Sequence, residues 1–267
     1  MALQDVLNLA KPKKKIGLSE ERIKAQIKPM RKWISLWREY PDIFIDMMSG
    51  PNSKFKLFFY QRIFLRAVMR NKYTYATFPR AYSKSFLSIM ALMIKCILFP
   101  ASKLFITSGG KEQAANIAKE KIEELCDLIP MFNKEINWKK STFGKDYVRV
   151  EFKNGSRLDV VAARQSARGG RRHGGLMEEC ILIDGQALNE VILPLMNVSR
   201  RCANGEVDPD EVLNKSQIYV TTAGWKNTFA NLIEDIGEVK PCEPIKMGCG
   251  RDAANSESHK VTLCQAA

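Results

Sequence analysis

Between Tyr73 and Leu128 the chain alternates strand, helix, strand, helix, and this order restricts the fold more than any other feature of its 267 residues. The string KYTYATF alternates in character and ends at Phe78, as a strand does. Lys84 to Leu98 then reads as a helix, KLFITS as a short strand and Lys111 to Leu128 as a second helix. Such alternation implies parallel strands joined by crossover helices, an α/β fold with a mainly parallel central sheet flanked by helices. At 45% hydrophobic and 27% charged residues the chain can bury a sizeable core, which excludes a disordered or fibrous protein.

Ahead of this unit, residues 1–18 carry the run Lys11 to Lys15, whose like charges and proline predict a basic mobile arm. From Ser19, an N-cap followed by acidic residues, an amphipathic helix is predicted to about Tyr40, with Ile23, Ile27, Trp33, Ile34 and Trp37 available for packing. The Gly50-Pro51-Asn52 turn closes an N-terminal helical segment, 19–53, and a further helix from roughly Leu57 to Arg70 leads into the first strand. Downstream, Tyr147 to Phe152 and Arg157 to Ala162 flank Asn154-Gly155, a strong hairpin signal. Short strands are predicted at Gly175 to Glu179 and Gln217 to Thr222, and the polar stretch Cys202 to Lys215 reads as a surface loop. The main domain is therefore expected over 54–240, with 241–267 as a poorly structured tail, because apolar periodicity fades beyond about Lys240.

Forty-two Lys and Arg against 29 Asp and Glu leave a formal net charge of +13, which favours a polyanionic partner such as nucleic acid. The longest apolar stretch, Phe86 to Phe99, is interrupted by Ser88 and Lys95 and is too short to span a bilayer. With no apolar signal-peptide core at the N-terminus, a soluble intracellular protein is expected. The seven cysteines show no zinc-ligand spacing, and their odd, scattered distribution argues against a disulfide framework.

Two strings carry candidate chemistry. In FPRAYSKSF, where the first strand passes into a helix, Lys84 and Ser85 stand where a phosphate-binding loop places its lysine and its magnesium-binding hydroxyl. Both glycines of the usual G-x-x-x-x-G-K-[ST] pattern are absent, Ser83 replacing the second and Phe78 the first, so this string alone reads better as an ordinary Ser-capped helix with an exposed lysine. In QSARGGRRHGGLMEE, Glu178 and Glu179 end a short apolar strand, as nucleotide hydrolysis requires of a metal-binding and a water-activating carboxylate, although without the loop around Lys84 they read as a solvated acidic pair. The competing placement is CILID, where Asp184 is followed by Gly185, which cannot act as a base. Arg168, Arg171 and Arg172 lie in a glycine-rich loop and suit charge stabilisation in phosphoryl transfer, contact with a DNA backbone, or plain solvation. Thr221 and Thr222 end QIYVTT beside the acidic strand and can sense a terminal phosphate, while Gln61 in FFYQRIF carries an amide able to read an adenine edge.

Taken in order, these elements resemble the ATPase domain of the large terminase subunit, the DNA-packaging motor of tailed bacteriophages. The resemblance runs from Lys54 to Phe229: a glutamine at Gln61, Arg80 four residues before Lys84 in a deviant Walker A loop, RGGR at Arg168 to Arg171, the acidic pair after RHGGLM, and TTAG at Thr221 to Gly224. Glu178 stands where aspartate is more usual in that family. The resemblance implies a P-loop NTPase of the ASCE type that binds ATP and Mg2+. Arg80, Ala81, Tyr82, Ser83, Lys84 and Ser85 would surround the phosphates, Lys84 and Arg80 contacting the β and γ groups; Ser85 and Glu178 would hold the magnesium and Glu179 would activate water. It further implies Arg168, then Arg171, as arginine finger across a subunit interface, with Arg200 and Arg201 an outside choice. Thr221 and Thr222 would couple hydrolysis to movement, and Gln61 with Tyr60 would contact adenine. The partners implied are double-stranded DNA, a homo-oligomeric ring, a pentamer by family analogy, on the procapsid portal in the host cytoplasm, and a small terminase subunit; no membrane is involved. Large terminase subunits usually continue into an RNase H-like nuclease, for which 267 residues leave no room, so no nuclease activity is expected of this chain. A helicase-like ATPase and a non-catalytic DNA-binding protein with a degenerate nucleotide site are the competing classes.

Overall fold

The structure is a computed structural model and describes residues 20–51, 53–145, 147–162, 170–202, 205–222, 245–247 and 261–265. The expected basic arm and the Ser19 cap lie outside these residues. The chain divides into two units, Met1–Leu36 and Trp37–Ala267. Helix α1 (Glu20–Glu39) spans the division, and the second unit carries α2 (Pro41–Ser49), α3 (Phe59–Arg70), α4 (Lys84–Leu98), α5 (Lys111–Leu128) and the short α6 (Met131–Glu135). Helix α2 belongs to the sheet-bearing unit, because Phe44 and Ile45 are buried in its main core.

Nine strands are present among the described residues: β1 (Tyr73–Phe78), β2 (Lys103–Thr107), β3 (Thr142–Phe143), β4 (Val148–Glu151), β5 (Arg157–Val160), β6 (Gly174–Glu178), β7 (Ser216–Thr222), β8 (Ile245–Met247) and β9 (Val261–Gln265). They form one sheet in the order β3-β4-β5-β2-β6-β7-β1-β9-β8. The centre, β5-β2-β6-β7-β1, is parallel throughout, and both flanks are antiparallel. The fold is thus α/β with a mainly parallel sheet, as the sequence predicts. Strands β1 and β2 follow one another in sequence but are separated by β6 and β7, which opens a crevice at their C-terminal ends where such sheets bind ligands.

Helix α4 explains how the crevice is held. Phe86, Leu87, Ile89, Met90, Leu92, Met93 and Ile94 are all buried, and a helix apolar on every side belongs in the middle of a core. It packs between α3 and α5 and against β2, β5, β6 and β7. Its C-terminal carbonyls are satisfied from afar: Asn154 Nδ2 donates to Cys96 O at 2.8 Å and to Ile97 O at 3.0 Å, and Arg38 Nη2 to Leu98 O at 2.8 Å. Gly155 completes that hairpin with φ 82, a conformation glycine adopts at little cost. The opposite face of the sheet, including Phe105, Met177 and Tyr219, is covered by Ile183, Leu188, Val191, Ile192, Leu195 and Met196.

Two local expectations are corrected. The tail beyond Lys240 contains β8 and β9, and β9 runs antiparallel along β1, with Thr74 opposite Gln265 and Thr77 opposite Thr262. Pairing covers an edge of β1 that would otherwise present unpaired backbone groups, and strands this short leave little periodicity to read. The stretch Cys202 to Lys215 is not wholly superficial, since Leu213, Asn214 and Glu211 are buried. Residues 205–210 are exposed as a surface loop should be, but the polar groups after them serve buried pairing, Glu211 binding Arg200 and Asn214 Oδ1 accepting from the Arg200 N–H at 2.7 Å.

Candidate active site

Strand β1 delivers the chain at Phe78 to a loop of Pro79 through Ser83, and α4 starts at Lys84. Two loop residues have left-handed backbones although neither is glycine, Ala81 at φ 65 and Ser83 at φ 51. Ser83 stands where the phosphate-loop pattern has its second glycine, so the loop keeps a glycine-type conformation without the glycine, at a cost on the order of 1 kcal/mol per residue. Ser83 O accepts the Leu87 N–H at 2.9 Å, which starts α4. The first turn of α4 contains no acidic residue, leaving its N-terminal N–H groups and partial positive charge suited to an anion.

Strand β6 brings the carboxylates to this helix start. Lys84 Nζ donates to Glu178 Oε1 at 2.9 Å and to Glu179 Oε1 at 2.6 Å, and Ser85 Oγ lies 2.5 Å from Glu178 Oε1. Glu178 is buried, and its second oxygen, Oε2, is enclosed with no hydrogen-bond partner. Glu179 is left-handed at φ 47, which turns it off the strand line. Thr222 N donates to Glu179 Oε2 at 3.2 Å and Thr222 Oγ1 at 3.1 Å, while Thr221 Oγ1 reaches the same oxygen at 3.2 Å. Burial pushes the Lys84 ammonium down, but the charge of Glu178 and hydrogen bonds to both carboxylates more than reverse this and raise it. Burial likewise pushes the Glu179 carboxyl up, yet Lys84, by hydrogen bond and charge, and Thr222 hold it below the usual carboxylate range.

A cleft of about 610 Å³ opens over this cluster, lined by Ser83, Lys84, Ser85 and Thr222 at one part and by Phe58 and Gln61 at another. This volume lies within the range of small-ligand sites. Gln61 is buried; its Oε1 accepts the Phe58 N–H at 2.9 Å and its Nε2 donates to Tyr60 Oη at 3.3 Å. Ala81 and Tyr82 line the cleft, whereas Arg80 is exposed on the loop and is not among the lining residues.

The arginines divide. Arg168 lies outside the described residues, and Arg171 is exposed. Arg172 is not available as a loop cation, because it is buried in a bidentate pair with Asp159, Nε at 2.8 Å and Nη2 at 2.5 Å. Arg200 is buried against Glu211 and also donates to Pro100 O at 2.9 Å, which removes it as a finger; Arg201 is exposed. The competing carboxylate, Asp184, does not end a strand: Cys180–Leu182 is a single 3-10 turn, and Asp184 Oδ2 caps the next helix by accepting the Ala187 N–H at 2.8 Å. The sequence did not single out Phe58 as a cleft residue or Asp159 as the partner of Arg172. Phe58 was legible as the residue three before Gln61 at a helix start, the spacing at which a side chain folds back onto the cap.

No family model matches the sequence, and no curated protein matches it. Among solved structures, the ATPase domain of the large terminase of Thermus phage P74-26 is similar at 12% identity and a TM-score of 0.45, over 72% of this chain and 74% of that one. The large terminase of bacteriophage HK97 is similar at 13% identity and a TM-score of 0.47, over 62% of this chain and 33% of that protein. A large terminase from a thermophilic bacteriophage, solved in complex with ADP, is similar at 14% identity and a TM-score of 0.36, over 65% of this chain and 39% of the other. The matched part is about a third of the length of each of the last two chains. No described helix is long and apolar enough to cross a membrane, and no group of three or more His, Cys, Asp or Glu able to hold a metal occurs among the described residues.

Proposed function

We propose that this chain hydrolyses ATP and uses the energy to drive double-stranded DNA into a viral procapsid, as the ATPase part of a large terminase subunit. One observation carries the reading: Lys84 and Ser85 meet Glu178 and Glu179 within 2.9 Å across more than ninety residues of sequence, at a helix start beneath a cleft of nucleotide size. Nucleotide hydrolysis needs this combination of phosphate cation, hydroxyl and paired carboxylates.

In this reading a triphosphate draws Lys84 from the carboxylates onto its outer phosphates, with Arg80 closing from the exposed side. Ser85 Oγ and Glu178 would hold magnesium; both are hard oxygen donors, and the enclosed, unpartnered Glu178 Oε2 fits a cation. Two protein oxygens suffice for an ion that takes its remaining ligands from phosphate and water. When bound, magnesium neutralises charge on the phosphoryl oxygens. Glu179, kept ionised, accepts the proton of the attacking water. Thr221 and Thr222, which hydrogen-bond the same carboxylate, then transmit its release along β7. Arg168 or Arg171 would enter the neighbouring subunit's site in a pentameric ring on the portal, with a small subunit as a further partner. The surplus of +13 charges supports a sequence-independent grip on DNA phosphates, which weakens steeply with salt.

The test is magnesium-dependent ATP hydrolysis with and without duplex DNA. Lys84→Ala is expected to abolish turnover by loss of binding, and Glu179→Gln to keep binding but lose about 10²-fold or more in kcat. Equal background rates in all three proteins would leave a DNA-binding protein with an inactive nucleotide site.

A further inference from the structure

We infer that Lys95 is a positioning residue for nucleotide hydrolysis: its bond to Ser216 is the fixed point about which strand β7 turns against helix α4 when Lys84 and Glu179 part. This deepens the nucleotide reading above and rests on it.

The two elements are tied at both ends. Near the cleft, Lys84 of α4 donates to Glu179 Oε1 at 2.6 Å, and Thr222 of β7 donates to the same carboxylate at 3.1 Å. At the far end, Lys95 Nζ donates to Ser216 Oγ at 2.5 Å. Lys84 and Lys95 are about three turns apart along α4, roughly 16 Å, so both side chains leave the helix from one side. Ser216 and Thr222 are roughly 20 Å apart along β7 and share one face of it. Ile218 and Val220 lie between them on that face, in the core that α4 fills. The two spans match, so a polar tie closes each end of an apolar contact.

Apolar contact is non-directional and holds the elements together without fixing how one slides on the other. A hydrogen bond between two held groups does fix it. Ser216 is held, because it stands opposite Gly174 of β6, where a Cβ would come within 3.0 Å of the Ser216 Cβ and 2.7 Å of its carbonyl oxygen. The tie comes at the expense of stability. Lys95 is 1% exposed, and burial alone pushes its pKa down to about 7, with no carboxylate to offset it among the described residues. A methionine would fill similar space without that penalty, and local rules broken in this way gather at functional sites. In the nucleotide reading, a triphosphate takes Lys84 from Glu179 and opens the tie near the cleft. The tie at Ser216 then turns the movement of Thr222 into a rotation of β7 rather than a slide.

The experiment is steady-state ATP hydrolysis by the full chain and by Lys95→Met, Ser216→Ala and the double variant, with urea unfolding of all four proteins. Both single variants should lose about tenfold in kcat with KM for ATP within about twofold, as expected of groups that act by alignment. The double variant should lose no more than either single one, because the two changes cut the same tie. Stability should move in opposite directions: the urea midpoint rises in Lys95→Met, where a buried cation is gone, and falls in Ser216→Ala, where that cation loses its acceptor. Equal losses of turnover in a more stable and a less stable variant cannot come from a general weakening of the fold. Parent kcat in a more stable Lys95→Met, or losses that multiply in the double variant, would overturn the inference. No ATP turnover by the parent would instead remove the nucleotide reading itself, and the pivot with it.

Discussion

Lys84 Nζ and Glu179 Oε1 are 2.6 Å apart, so the cation suited to phosphate oxygens and the carboxylate suited to water are bonded to each other. Under the function proposed above, a triphosphate would have to compete for Lys84, and the same competition would free Glu179.

The pair has a measurable acid signature. The Glu179 carboxyl is held below its ordinary value, so its contribution to stability is present above the unfolded pKa, about 4.3, and is lost as pH falls through the lower folded value. Glu179→Gln should destabilise the protein by about 1 kcal/mol near neutrality, with the difference from the parent shrinking below about pH 4. Thermal unfolding across acidic pH checks this; a difference that grows on acidification contradicts it.

The left-handed backbone at Ser83 separates two substitutions. Ser83→Val is expected to cost about 2 kcal/mol, because β-branched residues are outliers at positive φ, while Ser83→Gly should change stability by less than about 1 kcal/mol as relief of strain offsets the greater freedom of the unfolded chain. Equal losses in denaturant unfolding would mean that the loop does not hold this conformation.

Adjacent arginines should behave oppositely. Arg172→Ala leaves Asp159, 2% exposed, without its bidentate partner and is expected to cost about 3 kcal/mol. Arg171→Ala, at an exposed position, should change stability by less than about 0.5 kcal/mol. Urea unfolding of the two variants decides between this division and equal roles.

Lys95 is the fourth case. It is 1% exposed in the middle of α4, its Nζ donates to Ser216 Oγ at 2.5 Å, and burial pushes its pKa down to about 7. For a lysine lowered in this way the penalty on folding is full below the folded value and fades as pH rises toward the unfolded value near 10.4. Lys95→Met should therefore stabilise the protein by about 2 kcal/mol at neutral pH, and the gain should decline as pH rises toward about 10. A gain that does not decline with pH would show that packing, not charge, is responsible.

Local signals made much of this legible. Helix α4 runs over the predicted residues because a dense apolar run begins and ends there and α5 because apolar residues recur at helical spacing, and Glu178 and Glu179 stood out because two carboxylates at a strand end are an uncommon local pattern. Pairings between distant segments were not legible: Arg172 with Asp159, Arg200 with Glu211 and Lys95 with Ser216 each satisfy a buried group at a separation no periodicity reveals. Gln61 lay between these cases, since its spacing from Phe58 carries the capping role it has in the fold.

The register of β7 has a consequence for how this chain can change length. Thr222 sits opposite Phe78 and Val220 opposite Glu178, which sets Thr222 within reach of Glu179. One residue inserted in 216–222 would move the threonine by about 3.3 Å and turn its side chain to the other face of the sheet. Insertions and deletions in homologous chains should therefore gather in 205–210, where the described residues are exposed, and be missing from β7.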